Sequence, residues 1–391
     1  MTLQGRQTVV VGGGIGGLAA ALALARRGAE VTVLEQAETI SEVGAGLQFS
    51  PNGMRVIEAL GLGAALRARA CAAGAVSLRD YRRGSEVVRL DLGRLPLGWD
   101  YFFVHRADLI DMLAGSARAA GVRLRLLQKV SRVRPGKRVA LELANGDACE
   151  ADLVVGADGL HSVVRQGLNG VVAPFFTHQV AWRAVVPNVV DHPDEARVHM
   201  GPGRHVVSYP LREGRMVNLV AVEERRDWTA ESWSQQDDPQ NMRRAFAGFC
   251  EPVQRLMEAA ERPGLWGLYR HPVARHWSAP GVAILGDAAH PTLPFMAQGA
   301  NMALEDALVL AQCLEAEPDQ EAALTRYREL RRDRCVRVVE AANGNAWKYH
   351  LRNPLVRGVA HLGMGALGRL APDRLLHQFD WIYGYDAGHV L

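Results

Sequence analysis

A glycine-rich turn near the amino terminus has the residue types and spacing to bind a dinucleotide. Gly12, Gly14 and Gly17 fit the pattern GxGxxG, directly after a β-branched run at 6–11. Glu35 ends the next strand-like run, 18 residues after Gly17. Glycines let the backbone approach a pyrophosphate, the start of the following helix favours its negative charge, and a carboxylate accepts from ribose hydroxyls. Glu35 suits a ribose with a free 2′-hydroxyl, which leaves FAD and NAD both open.

Two further turns place an aspartate after a buried strand. One reads GADG from Gly156 and continues to Ser162 and Arg165, and the other places Asp287 after the run VAIL. Ligands bind α/β sheets at the carboxyl ends of the strands, so Asp158 and Asp287 are candidate binding residues. Each turn taken alone is equally consistent with a helix cap or a structural turn.

A histidine and a tyrosine stand four residues apart in the segment HVVSY, at positions 205 and 209. In a strand, alternate side chains share a face, so His205 and Tyr209 are predicted to point the same way. Both side-chain types transfer protons in enzymes. The alternative is that both simply pack in the interior of the sheet.

The elements around these residues predict an α/β fold with an α+β substrate domain. Strand and helix patterns alternate through 1–176, which favours a mostly parallel Rossmann-like sheet with an antiparallel insertion. Strand patterns separated by Gly/Pro turns dominate 177–277, which we expect to form a substrate-binding β-sheet domain. The first domain resumes over 278–391 with C-terminal helices and an irregular tail. A second GxGxxG at 363–368 follows no strand, so we interpret it as small residues that allow close helix packing.

Composition excludes several classes of function. The 391 residues include 45 Lys plus Arg and 42 Asp plus Glu, a net charge of +3, which gives no electrostatic reason to expect nucleic acid or an anionic membrane as partner. The five cysteines form no CxxC pair, so neither a metal site nor a disulfide framework is predicted, and a cytoplasmic location is favoured. No apolar stretch is suited to a membrane span. A homodimer is left open.

The order and spacing of the three motifs resemble the FAD-dependent aromatic hydroxylases, the group A flavoprotein monooxygenases such as salicylate hydroxylase. The resemblance implies FAD as cofactor, with NADH or NADPH as co-substrate. It also implies that Arg106 reaches FAD, that Asp158 lies near FAD and the nicotinamide donor, and that Asp287 holds the ribityl chain. The residues expected to bind the cofactor are Gly12, Gly14, Gly17, Glu35, Gln36, Arg106, Val130, Asp158, Asp287, Gly299, Ala300 and Asn301.

The family's chemistry implies that the donor reduces FAD, that O2 forms a flavin hydroperoxide, and that this species hydroxylates an activated ring. The spacing of His205 and Tyr209 is similar to that in 6-hydroxynicotinate and 3-hydroxybenzoate hydroxylases, so both are candidates for binding and deprotonating a ring hydroxyl. Further residues expected at the substrate are Gln48, Pro294 and Phe295.

We expect a small phenolic or hydroxylated aromatic acid as substrate, although no carboxylate clamp is evident. Arg183 and Arg204 are the candidates for such a clamp, but each is interpreted as a surface or packing arginine. Two alternatives stay open: a flavin monooxygenase or epoxidase acting on a larger natural product, and an FAD-binding reductase that does not transfer oxygen.

Overall fold

The structure is a computed structural model that describes residues 3–40, 45–225, 227 and 235–391, with the side chains of 345–347 excluded. Part of the predicted 177–277 domain therefore lies outside the described residues. The strands are β1 (Gln7–Val11), β2 (Glu30–Leu34), β3 (Gly46–Phe49), β4 (Cys71–Ala72), β5 (Ala75–Asp80), β6 (Glu86–Asp91), β7 (Phe102–His105), β8 (Arg123–Arg125), β9 (Val130–Arg134), β10 (Val139–Leu143), β11 (Ala148–Ala151), β12 (Leu153–Gly156), β13 (Phe175–Pro187), β14 (Glu195–Gly201), β15 (Arg204–Leu211), β16 (Met216–Glu224), β17 (Gly264–Arg270), β18 (Ser278–Ala279) and β19 (Val282–Ile284).

Helices connect these strands and form most of the last hundred residues. The helices are α1 (Ile15–Ala25), α2 (Pro51–Ala59), α3 (Gly63–Arg67), α4 (Arg106–Ala119), α5 (Val163–Asn169), α6 (Pro239–Ala245), α7 (Glu251–Glu258), α8 (Gly299–Ala316), α9 (Gln320–Asn345), α10 (Pro354–Leu370), α11 (Pro372–His377) and α12 (Asp380–Tyr383). Short 3₁₀ turns lie at Leu92–Arg94, Gly286–Ala288, Pro294–Met296 and Ala346–Tyr349.

The first sheet has the order β18-β19-β12-β1-β2-β8 and is parallel except for β18. Its central strands are buried and apolar, as expected for a sheet covered by helices on its faces. The strands β9, β10 and β11, which lie between β8 and β12 along the chain, form a separate antiparallel sheet. The predicted parallel sheet with an antiparallel insertion is therefore confirmed. The parallel order brings the carboxyl ends of β1, β2, β12 and β19 to one edge.

The second sheet has the order β17-β13-β16-β15-β14-β5-β6. One face packs on α6 and α7 through apolar side chains such as Trp182 and Phe246. Alternate residues on the other face, among them Val207 and Val220, line a large cavity. The strands β5 and β6 belong to this sheet although they precede residue 176, because β5 pairs in parallel with β14.

The expectation of an irregular tail is wrong, since α10, α11 and α12 form there. The glycines at 363–368 do allow close packing, but against a strand. A Cβ on Gly365 would lie 3.1 Å from the Val87 carbonyl oxygen, and one on Gly368 would lie 2.6 Å from a methyl group of Val88. Within the described residues no helix is long and apolar enough to cross a bilayer.

Candidate active site

A cavity of about 1110 Å³ lies between the edge of the parallel sheet and the open face of the second sheet. This volume is at the upper end of the usual range for ligand sites. The structure brings most of the sequence-predicted site residues to its walls. These residues are Gly12, Gly14, Glu35, Gln36, Gln48, Arg106, Val130, Asp158, His205, Tyr209, Asp287, Pro294, Phe295, Gly299 and Ala300. Gly17 and Asn301 do not line the cavity.

The glycine-rich turn between β1 and α1 forms one end of the cavity. Gly12 has φ +102°, and a Cβ there would overlap the carbonyl oxygen of Ala157. A Cβ on Gly17 would overlap the carbonyl oxygen of Gly12, so Gly17 allows α1 to begin against the turn. Within the described chain nothing lies within 4 Å of a Cβ built on Gly14. The open space beside Gly14 is therefore where a ligand can approach the backbone.

Glu35 holds its carboxylate beside this turn. Its Oε2 accepts from the Gly13 N–H at 2.6 Å, and its Oε1 accepts from the Ala37 N–H at 2.8 Å. The side chain also lines the cavity. The carboxyl end of β2 thus places an acceptor where the sequence predicts contact with a ribose, and that contact stays a prediction.

Asp158 is bonded within its own motif. Its Oδ1 accepts from the Ser162 hydroxyl, and its Oδ2 accepts from the N–H of Val163 at 2.8 Å at the start of α5. Ser162 in turn caps α5 by accepting from the Arg165 N–H at 2.9 Å. Burial raises the pKa of Asp158, and these hydrogen bonds oppose the rise. The carboxylate of Asp158 therefore caps α5, as one of the sequence interpretations predicts. Its proximity to FAD and to the nicotinamide donor stays a prediction.

Asp287, in contrast, presents its side chain to the cavity. Burial by the surrounding protein raises its pKa, and the charges of His290 and Arg106 oppose this. Arg106, at the start of α4, lines the same space, and burial lowers its pKa while Asp287 opposes the shift. A carboxylate and a guanidinium thus face one ligand space from two different segments.

A buried ionic cluster supports the loop that carries Asp287. Asp306 of α8 accepts from the Gly286 N–H at 3.0 Å, from His290 Nε2 at 2.5 Å and from Arg331 Nε at 2.7 Å. Arg331 also pairs with Glu305 at 2.7 Å, and all of these side chains are buried. The cluster joins the loop after β19 to α8, whose first residues line the cavity.

His290, Asp306 and Cys335 present ligand atoms within 4.8 Å of one another, as a metal site would. Their observed partners are protein groups, because Asp306 binds both His290 and Arg331. A guanidinium this close to these ligands would repel a cation, so we assign the cluster to ion pairing.

Asn301 positions the start of α8. Its amide donates to the carbonyl oxygens of Gln48 at 3.1 Å and Ala297 at 2.9 Å, and its side chain is buried. Asn301 thus holds the start of α8 against β3, and its predicted contact with the cofactor stays a prediction. The backbone of Gly299 and Ala300, at the first turn of the same helix, lines the cavity.

The other end of the cavity, which we call the chamber, lies on the second sheet. His205 and Tyr209 lie on β15, on the same face as predicted, with side chains 2% and 4% exposed. Tyr209 stacks on Phe103 with ring centroids 5.0 Å apart. His205 lies 5.8 Å from the Phe295 ring. Four residues along a strand span about 13 Å, so the two side chains serve different parts of the chamber.

Gln48, on β3, is oriented by an aromatic neighbour. Its Oε1 accepts from the Tyr101 hydroxyl at 2.9 Å. Tyr101 packs edge-on against Tyr383 of α12 at 6.0 Å, so the carboxyl-terminal helices contribute to this wall. Burial raises the pKa of both Tyr101 and Tyr209, which keeps their hydroxyls protonated.

Arg183 lies in the chamber and packs on an aromatic ring, so of its two sequence interpretations, surface or packing, the surface one is wrong. It lines the chamber from β13, and its guanidinium lies 4.1 Å from the ring centroid of Trp266. Burial lowers its pKa to about 10, so it is cationic at neutral pH. Arg204, treated together with it in the sequence, lies outside the chamber, where it donates to the Ala245 carbonyl oxygen and pairs with Glu223 at 3.4 Å.

Other chamber residues carried no usable signal in the sequence. Trp266 and Tyr101 line the chamber from strand and loop segments, and Tyr349 lines it after the long helix α9, where His350 contacts His205. Their contribution depends on how distant segments pack together. Only the alternation of residues around Arg183 could have indicated an inward arginine.

Comparisons with known proteins agree with this arrangement. A family model described as an FAD binding domain matches residues 6–342. The 3-amino-4-hydroxybenzoate 2-monooxygenase of Streptomyces platensis is 36% identical over 389 residues, which are 97% of this chain and 96% of that protein. The 3-hydroxybenzoate 6-hydroxylase of Polaromonas naphthalenivorans is 35% identical over 398 residues, 98% and 97% of the two chains.

Among solved structures, Klebsiella pneumoniae HpxO complexed with FAD and uric acid superposes with a TM-score of 0.85 at 26% identity, covering 96% of each chain. The glycine turn, the two aspartate loops and the chamber beside them thus occur in a chain that matches this family along nearly its whole length. The chain belongs to the FAD-dependent aromatic hydroxylases, the group A flavoprotein monooxygenases.

Proposed function

We propose that this FAD-dependent monooxygenase, which uses NAD(P)H and O2, hydroxylates a hydroxybenzoate-type anion bound between Arg183 and His205. The observation that carries the proposal is a cationic guanidinium and a neutral imidazole that line one chamber with largely apolar and aromatic walls. The cation matches a ring carboxylate, and the imidazole matches a ring hydroxyl. The names of the relatives, an aminohydroxybenzoate and a hydroxybenzoate hydroxylase, support the same substrate class.

The residues at the other end of the cavity fit FAD. The turn at Gly12 packs against Ala157 with no room for a Cβ, and Gly14 leaves its backbone open to a ligand. We assign Glu35 and Gln36 to the ribose, Arg106 and Asp287 to the middle of the cofactor, and the start of α8 to the ring system. FAD supplies the oxygen-activating chemistry when it is bound.

The chain's own residues bind the aromatic ring, orient it and exclude water. Val207, Val220 and Trp266 form apolar walls, which keep water from the reacting centre. We assign Arg183 to the carboxylate, Tyr209 and Gln48 to orientation of the ring, and His205 Nε2 to removal of the proton from the hydroxyl. Pro294 and Phe295 close the chamber towards α8.

The test compares several ring acids with a neutral amide analogue. Donor oxidation, O2 uptake and peroxide release are measured with 3-amino-4-hydroxybenzoate, 3-hydroxybenzoate, salicylate and 6-hydroxynicotinate, and with 3-hydroxybenzamide as a neutral analogue. We expect one acid to stimulate oxidation with little peroxide, and the amide to bind far more weakly. Equal turnover of acid and amide would contradict an anion site, and no response to any ring would favour a larger natural-product substrate.

Arg183→Met sharpens this test. Loss of a charged hydrogen-bonding partner costs about 1.5–3 kcal/mol, so we expect KM for the acid to rise about 10- to 100-fold while the amide is little affected. Arg204→Met is the matched control, because Arg204 lies outside the chamber. An unchanged KM in Arg183→Met would remove Arg183 from the carboxylate site.

We propose that 1–176 and 278–391 form the FAD-binding unit and that 177–277 form the substrate unit, with β5 and β6 completing the sheet of the substrate unit.

We propose a homodimer that buries the apolar face of α10, where Leu355 is 79% exposed and Leu362 is 76% exposed. Sedimentation analysis of the parent and Leu362→Glu tests this.

We also propose a cytoplasmic location, because the five free thiols fit a reducing environment.

A further inference from the structure

A line of three polar side chains leads from the chamber towards the protein surface. His205 Nδ1 lies 2.7 Å from His350 Nε2, and His350 Nδ1 lies 3.0 Å from Glu224 Oε1. His205 lines the chamber, and the residue is 2% exposed. His350 is 4% exposed, whereas the side chain of Glu224 is 31% exposed. The line therefore joins a buried site to solvent through one fully buried intermediate.

The sheet explains why these groups meet. Val220, Val222 and Glu224 alternate on β16, so Glu224 shares the chamber face and stands where the strand ends. His205 is paired with Val222 on the neighbouring strand, which puts it diagonally opposite Glu224. The backbone carbonyl of His350 accepts from the Gly203 N–H at 3.2 Å, which fixes the segment after α9 over this corner.

The carboxylate determines the tautomer of each histidine. Glu224 can only accept, so His350 Nδ1 carries the hydrogen and donates to it. In the neutral imidazole His350 Nε2 is then an acceptor, and His205 Nδ1–H must donate to it. His205 Nε2 is consequently left as an acceptor, and in the described part of the chain no hydrogen bond engages it. A basic nitrogen therefore remains available to a ligand in the chamber.

The groups around these three side chains keep His205 neutral and Glu224 ionised. Burial and the neighbouring His350 lower the pKa of His205 well below its ordinary value, so this ring does not retain a proton. The hydrogen bond from His350 and the contact with Arg352 lower the pKa of Glu224 to about 2. Tyr349 packs on His205 with ring centroids 5.2 Å apart, and burial raises its pKa. Glu223 and its partners Arg204 and Arg225 lie on the opposite face of β16.

We propose that His350 and Glu224 relay the proton of the substrate hydroxyl from His205 to solvent, an inference that rests on the proposed function. The substrate O–H bond breaks as His205 Nε2–H forms, the Nδ1 hydrogen of His205 moves to His350 Nε2, and the Nδ1 hydrogen of His350 moves to Glu224. Glu224 then loses this proton to water and is ionised again. The substrate remains in the chamber as a phenolate. Reverse transfer restores both tautomers when the product leaves as a phenol. His350 and Glu224 are relay residues, since neither touches the substrate.

The experiment measures proton release without turnover. The FAD-loaded, oxidised enzyme is mixed with the accepted ring acid in weak buffer containing a pH indicator, while phenolate absorbance is recorded in parallel. We expect about one proton per site in the parent, and release slowed at least about tenfold in Glu224→Gln and in His350→Gln, because each removes one transfer. Dissociation constants for benzoate, which has no hydroxyl, should stay unchanged in both variants.

Glu223→Gln is the matched control, a carboxylate change at the adjacent residue on the opposite face. Slow release in Glu224→Gln with parental release in Glu223→Gln supports the relay. Parental release rates in both Glu224→Gln and His350→Gln would overturn it and leave the proposed function standing. If the parent binds the accepted ring without releasing a proton or showing phenolate absorbance, deprotonation at His205 fails and the relay fails with it.

Discussion

At the nucleotide end of the cavity the wall is made by backbone turns, whereas at the ring end it is made by side chains that alternate on a sheet. The turn at Gly12 approaches Ala157 so closely that a Cβ has no room. In the chamber, Arg183, His205 and Tyr209 lie on strands that require no unusual backbone conformation at these positions. The nucleotide end is therefore constrained by shape, and the ring end is free to vary in chemistry.

The pKa values of buried histidines are also shifted in opposite directions at the two ends. Burial disfavours charge on His290, but Cys335 and the Asp306 carboxylate raise its pKa above the ordinary value. At the second sheet, burial lowers the pKa of His192, in the loop before β14, to about 4 and that of His199, on β14, to about 3. A charged histidine supports the loop that carries Asp287, and neutral histidines lie in and beside the second sheet. Substitution and acidification should thus affect the two ends differently.

The largest effect is expected at Gly12. In Gly12→Ala the new methyl group overlaps a backbone carbonyl at φ +102°, which can be relieved only by moving the turn away from Ala157. We expect a destabilisation on the order of 4 kcal/mol or more, seen as failure to recover folded protein with FAD. Gly14→Ala is the control for folding, since nothing in the described chain obstructs its Cβ. If Gly14→Ala keeps the parental unfolding midpoint but does not bind FAD, its methyl group obstructs the cofactor itself.

This contrast explains what could be predicted from the sequence. The glycine spacing, the acid at Glu35 and the order of the motifs indicated the parallel sheet and the cofactor, because backbone constraints leave a local pattern. The inward position of Arg183 left only the alternation along its strand, and the contact between His205 and His350 left no pattern, since it depends on packing between segments 145 residues apart. Of the carboxyl-terminal helices, α8 and α9 were predicted, whereas α10, α11 and α12 were missed, since α10 contains four glycines, which have low helix propensity.

The next effect in size concerns the ionic cluster at the nucleotide end. Arg331→Met leaves Glu305 and Asp306 without their buried guanidinium partner, so we expect the free energy of unfolding to fall by about 3–5 kcal/mol. Chemical denaturation monitored by circular dichroism measures this. Arg328→Met is the matched control on the same helix, because its ion pair with Glu329 is half exposed at 3.9 Å and should contribute below about 0.5 kcal/mol. Similar decreases in the two variants would show that the cluster does not support the loop.

The smallest effect concerns acidification of the ring end. His192 donates from Nδ1 to the Pro193 carbonyl oxygen at 2.8 Å and accepts at Nε2 from the Ser208 hydroxyl at 2.9 Å, so its buried ring is neutral. The charges that face it are Arg79, Arg197 and Glu195. With a folded pKa of about 4 against an ordinary value of 6.5, the unfolded chain binds the additional proton between these pH values. The free energy of unfolding should therefore fall by roughly 3 kcal/mol as the pH drops from 6.5 to 4.

His192→Asn tests this, because an amide can keep both hydrogen bonds and does not titrate. We expect denaturation curves of this variant to lose less stability between pH 6.5 and pH 4 than the parent does, whereas the exposed His276→Gln follows the parent. The same parental slope in His192→Asn would place the acid sensitivity elsewhere. His290 should not add to this loss, because Asp306 holds it charged and the folded form already carries the proton that the unfolded chain takes up. The buried carboxylates Glu305 and Asp306 have lowered pKa values, so they should destabilise the fold only as the pH approaches the ordinary carboxyl range. The first loss of stability on acidification should therefore come from the second sheet.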